Sequence, residues 1–102
     1  MIVSTEQLRA FRAVAEERSF TKAAQKLFRT QPAISQAIRS LEEELGERLF
    51  LRIGRTSTLP QAGRIFLEHV EDAFATLERG QLRIDALNGQ QILEYAMTSI
   101  RG

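Results

Sequence analysis

The sequence has 102 residues, of which 43% are hydrophobic and 26% are charged, and its formal net charge is +1 at pH 7. This length allows one small core, or a compact module with one extended element, and it excludes a large enzyme with a separate substrate domain. The average composition argues against a disordered chain and against a membrane protein.

Targeting signals and metal-binding patterns are not found in the sequence. No apolar run approaches the roughly 18 residues that a membrane-spanning helix needs. The start, Met1–Glu6, has no basic region followed by an apolar stretch, so no secretory signal is predicted. We therefore expect a cytoplasmic protein. The sequence contains no cysteine and only one histidine, His69, which cannot build a zinc site by itself. We expect no metal ion and no cofactor.

Charges are unevenly distributed along the chain. Residues 19–41 contain no acidic residue, and neither do residues 48–67, whereas an acidic cluster lies between these two stretches. The basic residues of the two stretches are Lys22, Lys26, Arg29 and Arg39 in the first, and Arg48, Arg52, Arg55 and Arg64 in the second. Such a separation of basic from acidic residues is typical of a domain that binds phosphates with one face. Chance clustering or an ordinary solvated face is the alternative.

Two short helices are predicted first. Ser4 and Gln7 form a capping-box pattern before apolar residues at helical spacing, which predicts a helix from Thr5 to Glu17. Ser19 can cap a second helix that runs through Leu27. The residues of this second helix that we expect to face inward are Phe20, Ala23, Ala24 and Leu27.

A third helix has the clearest start. Thr30 is a suitable N-cap, and Pro32 falls in the first turn, where its missing N–H costs nothing. Gly46 follows as the expected C-terminal cap. Between them runs one apolar stripe, made of Ile34, Ile38, Leu41 and Leu45. The pattern then changes to a small hairpin, or wing, with strands at residues 49–53 and 58–59 around the turn Gly54–Ser57.

From Pro60 onward a long helix is predicted, ending at Asn88-Gly89. Its apolar residues follow a heptad spacing sustained for three repeats, in the order Phe66, Val70, Ala73, Leu77, Gly80, Ile84 and Leu87. Such a helix would be ~42 Å long, too long to bury this seam against so small a domain. A second copy of the chain is the simplest partner. Packing of the seam on the first three helices, or on a further domain, is the alternative.

The tail after Gly89 is less informative. Its apolar residues, Ile92, Leu93, Tyr95, Ala96 and Ile100, indicate another helical start. Residues 98–102 weakly resemble residues 6–10, which would fit the beginning of a second helix-turn-helix. A linker that leads toward a further domain is the more ordinary interpretation.

The second and third helices form a helix-turn-helix pattern, because only Phe28 and Arg29 separate the second helix from the cap of the third. In that motif the second helix lies in the major groove and its first turns face the base edges. The residues so placed are Thr30, Gln31, Pro32, Ala33, Ser35, Gln36 and Arg39. Glutamine can pair with adenine, serine with base or phosphate, and alanine with the thymine methyl group, whereas Arg39 is placed for a phosphate.

Other interpretations of these residues remain open. Gln31, Ser35, Gln36, Lys22 and the wing arginines can be ordinary solvated residues, and Thr30 can be a plain cap. A pure oligomerisation module is a rival function, although the acid-free stretches argue against it. An enzyme lacks support, because no nucleophile motif accompanies His69 and no glycine-rich phosphate loop precedes a helix.

The sequence resembles the N-terminal domain of LysR-type transcriptional regulators over residues 5–65. The residues that carry the resemblance are Leu8, Phe11, Ala15, Ser19–Ala24, Leu27, Gln31–Ser35, Ile38, Leu41-Glu42, Leu45-Gly46, Leu49-Phe50, Arg52 and Ala62-Gly63. The resemblance implies a mainly helical, winged helix-turn-helix fold followed by a long dimerising linker helix. The implied domains are residues 1–59 for DNA binding, 60–89 for the linker helix, and 90–102 for the start of the connection to a C-terminal domain.

The resemblance also implies roles for individual residues in binding double-stranded DNA at an interrupted palindrome. Gln31, Pro32, Ala33, Ser35 and Gln36 would read bases in the major groove. Contacts to the DNA backbone are expected from Ser19, Thr21, Lys22, Arg29, Thr30 and Arg39. Arg52 and Arg55 would form the wing at the minor groove. The dimer helix would use Phe66, Val70, Ala73, Leu77, Ile84 and Leu87. A homodimer, a tetramer for the full-length protein, and an effector bound only by a C-terminal domain are implied as well.

The sequence departs from the family pattern in three places. Arg29-Thr30 stands where the family more often has an aliphatic residue and a serine, and Gln36 stands where it often has arginine. Both differences affect which bases are preferred. Pro60 replaces a threonine that commonly caps the linker helix, so we expect a shifted helix start, with Thr58 as a substitute cap.

Overall fold

The computed structural model describes residues 1–101 and, within them, all side chains except those of Gln91, Ile92, Tyr95 and residues 98–101. Its elements in chain order are α1 (Thr5–Glu17), α2 (Phe20–Leu27), α3 (Gln31–Leu45), β1 (Leu51–Ile53), β2 (Thr56–Thr58) and α4 (Gln61–Arg101). The chain divides into two compact units, Met1–Glu71 and Asp72–Gly102. The predicted fold class, mainly helical with a small two-stranded wing, is confirmed.

Side-chain caps start the first three helices where the sequence predicts them. The backbone N–H of Gln7 donates to the Ser4 hydroxyl at 3.1 Å, and the Ser4 N–H donates to the Gln7 side chain at 2.9 Å. Ser19 accepts from the N–H of Lys22 at 3.0 Å, and Thr30 accepts from the N–H of Ala33 at 3.2 Å. Each cap satisfies an N–H group that the helix itself leaves unpaired.

The core of the first unit lies where α1, α2 and α3 pack together. Among its fully buried side chains are Phe11, Val14, Ile34, Leu41 and Leu49. The Phe11 ring lies 5.3 Å from the Phe50 ring and 5.4 Å from the Phe66 ring, measured between centroids. Three of the four predicted stripe residues of α3 are buried and Leu45 is half-buried. Because its apolar side is packed, α3 presents its polar side outward.

Strand pairing in the wing is antiparallel, with Leu51 opposite Thr58 and Ile53 opposite Thr56. The predicted end of the first strand at Ile53 is confirmed, whereas its predicted start at Leu49 and the predicted range 58–59 of the second strand are wrong. Leu49 and Phe50 are core residues whose N–H groups bond to the side chain of Glu42, so they lie outside the ladder. Thr56 and Ser57 pair within the ladder, because the turn contains only Gly54 and Arg55.

Each strand of the wing is attached to a helix. The Ser57 N–H donates to the backbone carbonyl of Arg18 at 3.1 Å, and Ser57 is only 5% exposed. Arg18 ends α1 in the left-handed conformation, with φ 54°. The wing is therefore attached to the end of α1 through β2. It is attached to α3 through Leu49 and Phe50, the two residues that precede β1.

Helix α4 begins at Gln61 and continues to Arg101. The predicted end at Asn88-Gly89 is wrong, because glycine costs only about 1 kcal/mol inside a helix and the residues on either side of this pair, Leu87 and Gln90, are good helix formers. Pro60 precedes the helix, and its carbonyl accepts from the N–H of Arg64 at 3.0 Å. Thr58 does not cap the helix. It lies in β2, and its hydroxyl donates to the carbonyl of Leu51 at 3.4 Å.

Along α4 the predicted seam changes from covered to exposed. Phe66 is half-buried and Val70 is 3% exposed within the first unit. In the second unit the seam residues Ala73, Leu77, Gly80, Ile84 and Leu87 are all exposed. The side chains of Ile92, Tyr95 and Ile100, named in the two interpretations of the tail, lie outside the described residues. In the part of the chain that the structure describes, no helix is long and apolar enough to cross a membrane.

Candidate nucleic-acid interface

The first two turns of α3 carry the polar side chains that the sequence singles out for base reading. Pro32, Ala33 and Gln36 are exposed. Gln31 and Ser35 are half-buried, and the Gln31 amide donates to the Ser35 hydroxyl at 3.1 Å. None of the five is packed inside the fold. They lie at the positive end of the helix dipole, which favours contact with an anion.

A groove opens between the start of α2, the start of α3 and the wing, and we call it the wing groove. Its lining is mainly polar and basic, with one acidic residue, Glu17, and it combines residues from all three elements, including Ser19, Thr21, Lys22, Gln31, Arg52 and Arg55. These six are predicted contact residues, and the first and last of them, Ser19 and Arg55, are 36 positions apart in the sequence. The fold brings them to one side of the first unit.

Arg52 also borders a second groove, which runs along α3 and which we call the helix groove. Ser35 and Arg39 line it together with Arg52, Glu42, Arg48 and Phe50. The guanidinium carbon of Arg52 lies 3.8 Å from the centroid of the Phe20 ring. The two grooves therefore meet at Arg52, and they join the predicted reading helix to the predicted wing.

Gln36 and Arg39 are linked on the outer side of α3. The Arg39 guanidinium donates to the Gln36 side-chain oxygen at 3.4 Å, and the Gln36 amide donates to the Ser40 hydroxyl at 3.2 Å. Such bonds restrict the rotamers of two long side chains, which lowers the entropy that they lose on contact with a ligand. Arg39 is exposed, and its charge remains available to a phosphate.

Arg29 and Ala33 border a different depression, between α1 and α3, whose lining includes Glu6 and Arg9. The Arg29 guanidinium donates to the Glu6 carboxylate at 2.9 Å. Both side chains are more than half exposed, at 55% and 67%, so this ion pair is weak in water. The structure thus separates Arg29 from the wing groove and gives it an acidic partner.

The two lysines of α2 differ in their surroundings. The Lys26 ammonium lies 2.6 Å from a Glu16 oxygen and 3.8 Å from a Glu17 oxygen. The hydrogen bond to Glu16 and the charge of that carboxylate raise the pKa of Lys26 above its ordinary value. Among the residues that the structure describes, Lys22 has no acidic side chain within ion-pair distance. Lys22 is therefore the lysine that the wing groove can offer to an anion.

Sequence reasoning missed several residues that line the wing groove, among them Gln25 and Thr56. Gln25 follows Thr21 by four positions and so lies one turn further along the same face of α2. That spacing was a signal for Gln25. Thr56 had no such signal, because the predicted turn included it.

Comparison with known proteins gives a consistent result. The family model described as "Bacterial regulatory helix-turn-helix protein, lysR family" matches residues 5–64. The RuBisCO operon transcriptional regulator of Allochromatium vinosum is 41% identical over 97 residues, which covers 82% of this chain and 32% of that regulator. This chain thus spans about a third of the length of that curated relative.

Solved structures of similar fold include complexes with DNA. The crystal structure of the CbnR_DBD-DNA complex matches with a TM-score of 0.76 and 34% identity, covering 82% of this chain and 97% of that chain. The BenM_DBD/catB site 1 DNA complex matches with a TM-score of 0.72 and 39% identity, covering 76% of this chain and 86% of that chain. Each of these two structures is a complex of a DNA-binding domain with DNA.

Proposed function

Because the chain belongs to the LysR family of bacterial regulatory helix-turn-helix proteins, we propose that it binds double-stranded DNA sequence-specifically and regulates transcription. In this proposal residues 1–59 bind the DNA, residues 60–89 pair two copies, and residues 90–102 begin the connection to a further domain. The similar DNA-binding domains that were solved with DNA support the first assignment.

Helix α3 enters the major groove with its first two turns. Gln31, Pro32, Ala33, Ser35 and Gln36 are the reading residues, since all five are accessible at the start of this helix. The amides of Gln31 and Gln36 suit adenine, which offers one donor and one acceptor in the major groove. Ala33 presents a methyl group suited to thymine. Discrimination between bases therefore comes from hydrogen bonds and apolar contacts rather than from charge.

Residues around the reading helix hold the DNA backbone. Ser19, Thr21, Lys22, Thr30 and Arg39 are placed for phosphate contacts, and Arg29 joins them once it leaves Glu6. Arg52 and Arg55 follow the minor groove from the wing, where a narrow groove attracts arginine. Neutralising several phosphates releases counterions, so the affinity falls steeply as the salt concentration rises.

One observation carries the proposal more than any other. Arg52 lines both the wing groove, with Gln31, and the helix groove, with Ser35 and Arg39. A ligand that contacts the reading helix therefore passes the wing arginine on the same side of the protein. A DNA duplex can contact the reading helix and Arg52 at the same time, because its major and minor grooves lie side by side along the backbone.

Two copies pair through the seam of α4 and read two half-sites of an interrupted palindrome. Leu77, Ile84 and Leu87 are between 54% and 68% exposed, and exposed apolar rows of this spacing are typical of helix pairing. A two-fold dimer places its half-sites about one or more helical turns apart, at ~34 Å per turn. A tetramer, an effector bound by a C-terminal domain, and a cytoplasmic location complete the proposal for the whole protein.

Titration of the chain against DNA at several salt concentrations tests this function. We expect Gln31→Ala and Ser35→Ala to reduce the preference for a palindromic site over random duplex by ~1–3 kcal/mol. Arg39→Ala should weaken binding to both duplexes alike. A chain that serves only in oligomerisation would show no binding below millimolar concentration even at low salt, and that result would refute the proposal.

A further inference from the structure

Glu42 differs from the rest of the acidic cluster to which it belongs in the sequence. Glu43, Glu44 and Glu47 are exposed, whereas the side chain of Glu42 is only 18% exposed. It lies on the last turns of α3 and lines the helix groove with Arg39 and Arg52. The exposed Arg48, whose Nε lies 3.7 Å from a Glu42 oxygen, offsets only part of the carboxylate charge. A carboxylate in a groove proposed to face phosphates still opposes binding. A second role is needed to account for it.

That role is visible in its hydrogen bonds. One oxygen of the Glu42 carboxylate accepts from the backbone N–H of Leu49 at 2.7 Å and from that of Phe50 at 3.4 Å. Leu49 and Phe50 are 1% and 3% exposed and belong to neither a helix nor a strand. Their N–H groups have no ladder partner, and a buried unpaired N–H costs ~1–3 kcal/mol. A carboxylate is the strongest acceptor that a side chain can offer.

The segment held in this way leads directly into the wing. The Phe50 ring packs 5.7 Å from the Phe20 ring, measured between centroids. Two residues later Arg52 lies over the same Phe20 ring. The position of Arg52 therefore depends on the Leu49-Phe50 segment. This segment is attached to α3, the helix that also carries Ser35 and Arg39.

We propose that Glu42 is a positioning residue that holds the wing in register with α3, so that Arg52 and the reading side chains meet one DNA site together. The inference rests on the proposed function and deepens it. Glu42 itself touches no DNA. It acts through the N–H groups of Leu49 and Phe50, and its loss releases the β1 end of the wing from α3, while the Ser57 N–H still holds β2 to Arg18.

Amide hydrogen exchange of the DNA-free chain tests the attachment. Glu42→Met keeps the length and packing of the side chain but removes the acceptor, and it should speed exchange at Leu49 and Phe50 about tenfold. The amides of Ile38 and Leu41 should keep the parental rate. Glu42→Gln, with a neutral acceptor, should raise the exchange rates of Leu49 and Phe50 only a few-fold. If Glu42→Met does not fold, the rates in Glu42→Gln test the attachment. Parental rates at Leu49 and Phe50 in both variants would overturn the proposal.

A double-mutant cycle with Arg52 tests the effect on DNA, with the full chain and a duplex enriched from a random pool as the probe. In the parent, Arg52→Ala should weaken binding about tenfold; in the Glu42→Met background its cost should fall below about twofold, because the released wing no longer delivers the arginine. Glu43→Gln is the matched control, and it should leave the full cost of Arg52→Ala. An unchanged cost in the Glu42→Met background would contradict the proposal. A parent chain that binds no DNA would instead refute the proposed function, while the exchange rates still report on the attachment.

Discussion

The guanidinium of Arg52 stacks on the ring of Phe20, with 3.8 Å between the guanidinium carbon and the ring centroid. Phe20 is the first residue of α2, and Arg52 is the middle residue of β1. A stacked guanidinium keeps the N–H groups at its edge free for phosphate or base contacts. The contact therefore fixes the direction of the wing arginine without using its donors.

Phe20→Leu should weaken DNA binding twofold to fivefold, because a cation over a ring contributes ~0.5–1 kcal/mol at exposed sites. Leucine retains most of the apolar side chain in the core, and fluorescence anisotropy with a labelled duplex measures the change. Phe11→Leu is the control, since Phe11 packs on Phe50 and Phe66. It should lower stability and leave the affinity of the folded protein unchanged. Equal affinities for the Phe20→Leu variant and the parent would exclude a role for the stacking.

Glu6→Gln should tighten binding to every duplex, because it releases Arg29 from its ion pair. One additional phosphate contact steepens the slope of log affinity against log salt by ~0.9. Glu43→Gln removes the same charge from an exposed site on α3 without releasing an arginine, and its slope should stay parental. If both variants change the slope equally, the pair with Arg29 has no part in DNA binding.

Gly63→Ala should destabilise the first unit. A Cβ at this position would collide with the backbone oxygen of Leu49 and would lie 2.9 Å from Cδ2 of Leu59. The backbone oxygen cannot rotate away, so a cost of ~1–3 kcal/mol is expected from overpacking. Gly89→Ala meets no atom within 4 Å and should stabilise α4 by up to ~1 kcal/mol. Urea unfolding at one protein concentration compares the two, and equal stabilities would contradict the close approach at Gly63.

Ile84→Asp should convert the dimer to a monomer, because it places a charge in the middle of the seam. Leu82→Asp is the control. Leu82 is also exposed, at 65% against 54% for Ile84, but two residues rotate by about 200° around a helix, which puts Leu82 on the other side. Light scattering at several concentrations gives the mass of each variant. A monomeric Leu82→Asp variant, or a dimeric Ile84→Asp variant, would show that the seam is not the interface.

Helix limits in the first unit followed from the sequence because their signals are local. Ser4, Ser19 and Thr30 each cap a helix through an N–H three positions away, so a short window contains both partners. The strand limits failed because Leu49 and Phe50 are removed from the ladder by Glu42, seven and eight positions away, and by burial in the core. The predicted stop at Gly89 failed because a penalty of about 1 kcal/mol at one glycine does not end a helix that good helix formers continue on both sides of Asn88-Gly89.

Grouping of the candidate contact residues needed the fold. Composition pointed to two basic stretches, but only the folded chain places Lys22 and Arg55 in one groove. The pairing of Arg29 with Glu6 spans 23 positions and has no signature in the sequence. Likewise, the four glutamates of the acidic cluster look equivalent until the structure separates Glu42 from the others.

Selection of bound duplexes from a random-sequence pool tests sequence-specific reading most directly, because it requires no knowledge of the operator. We expect two inverted half-sites to be enriched, with centres about one or more helical turns apart, at ~34 Å per turn. The Gln31→Ala variant should enrich a more degenerate half-site than the parent. A bound pool with the same base composition at every position as the input pool would contradict the account.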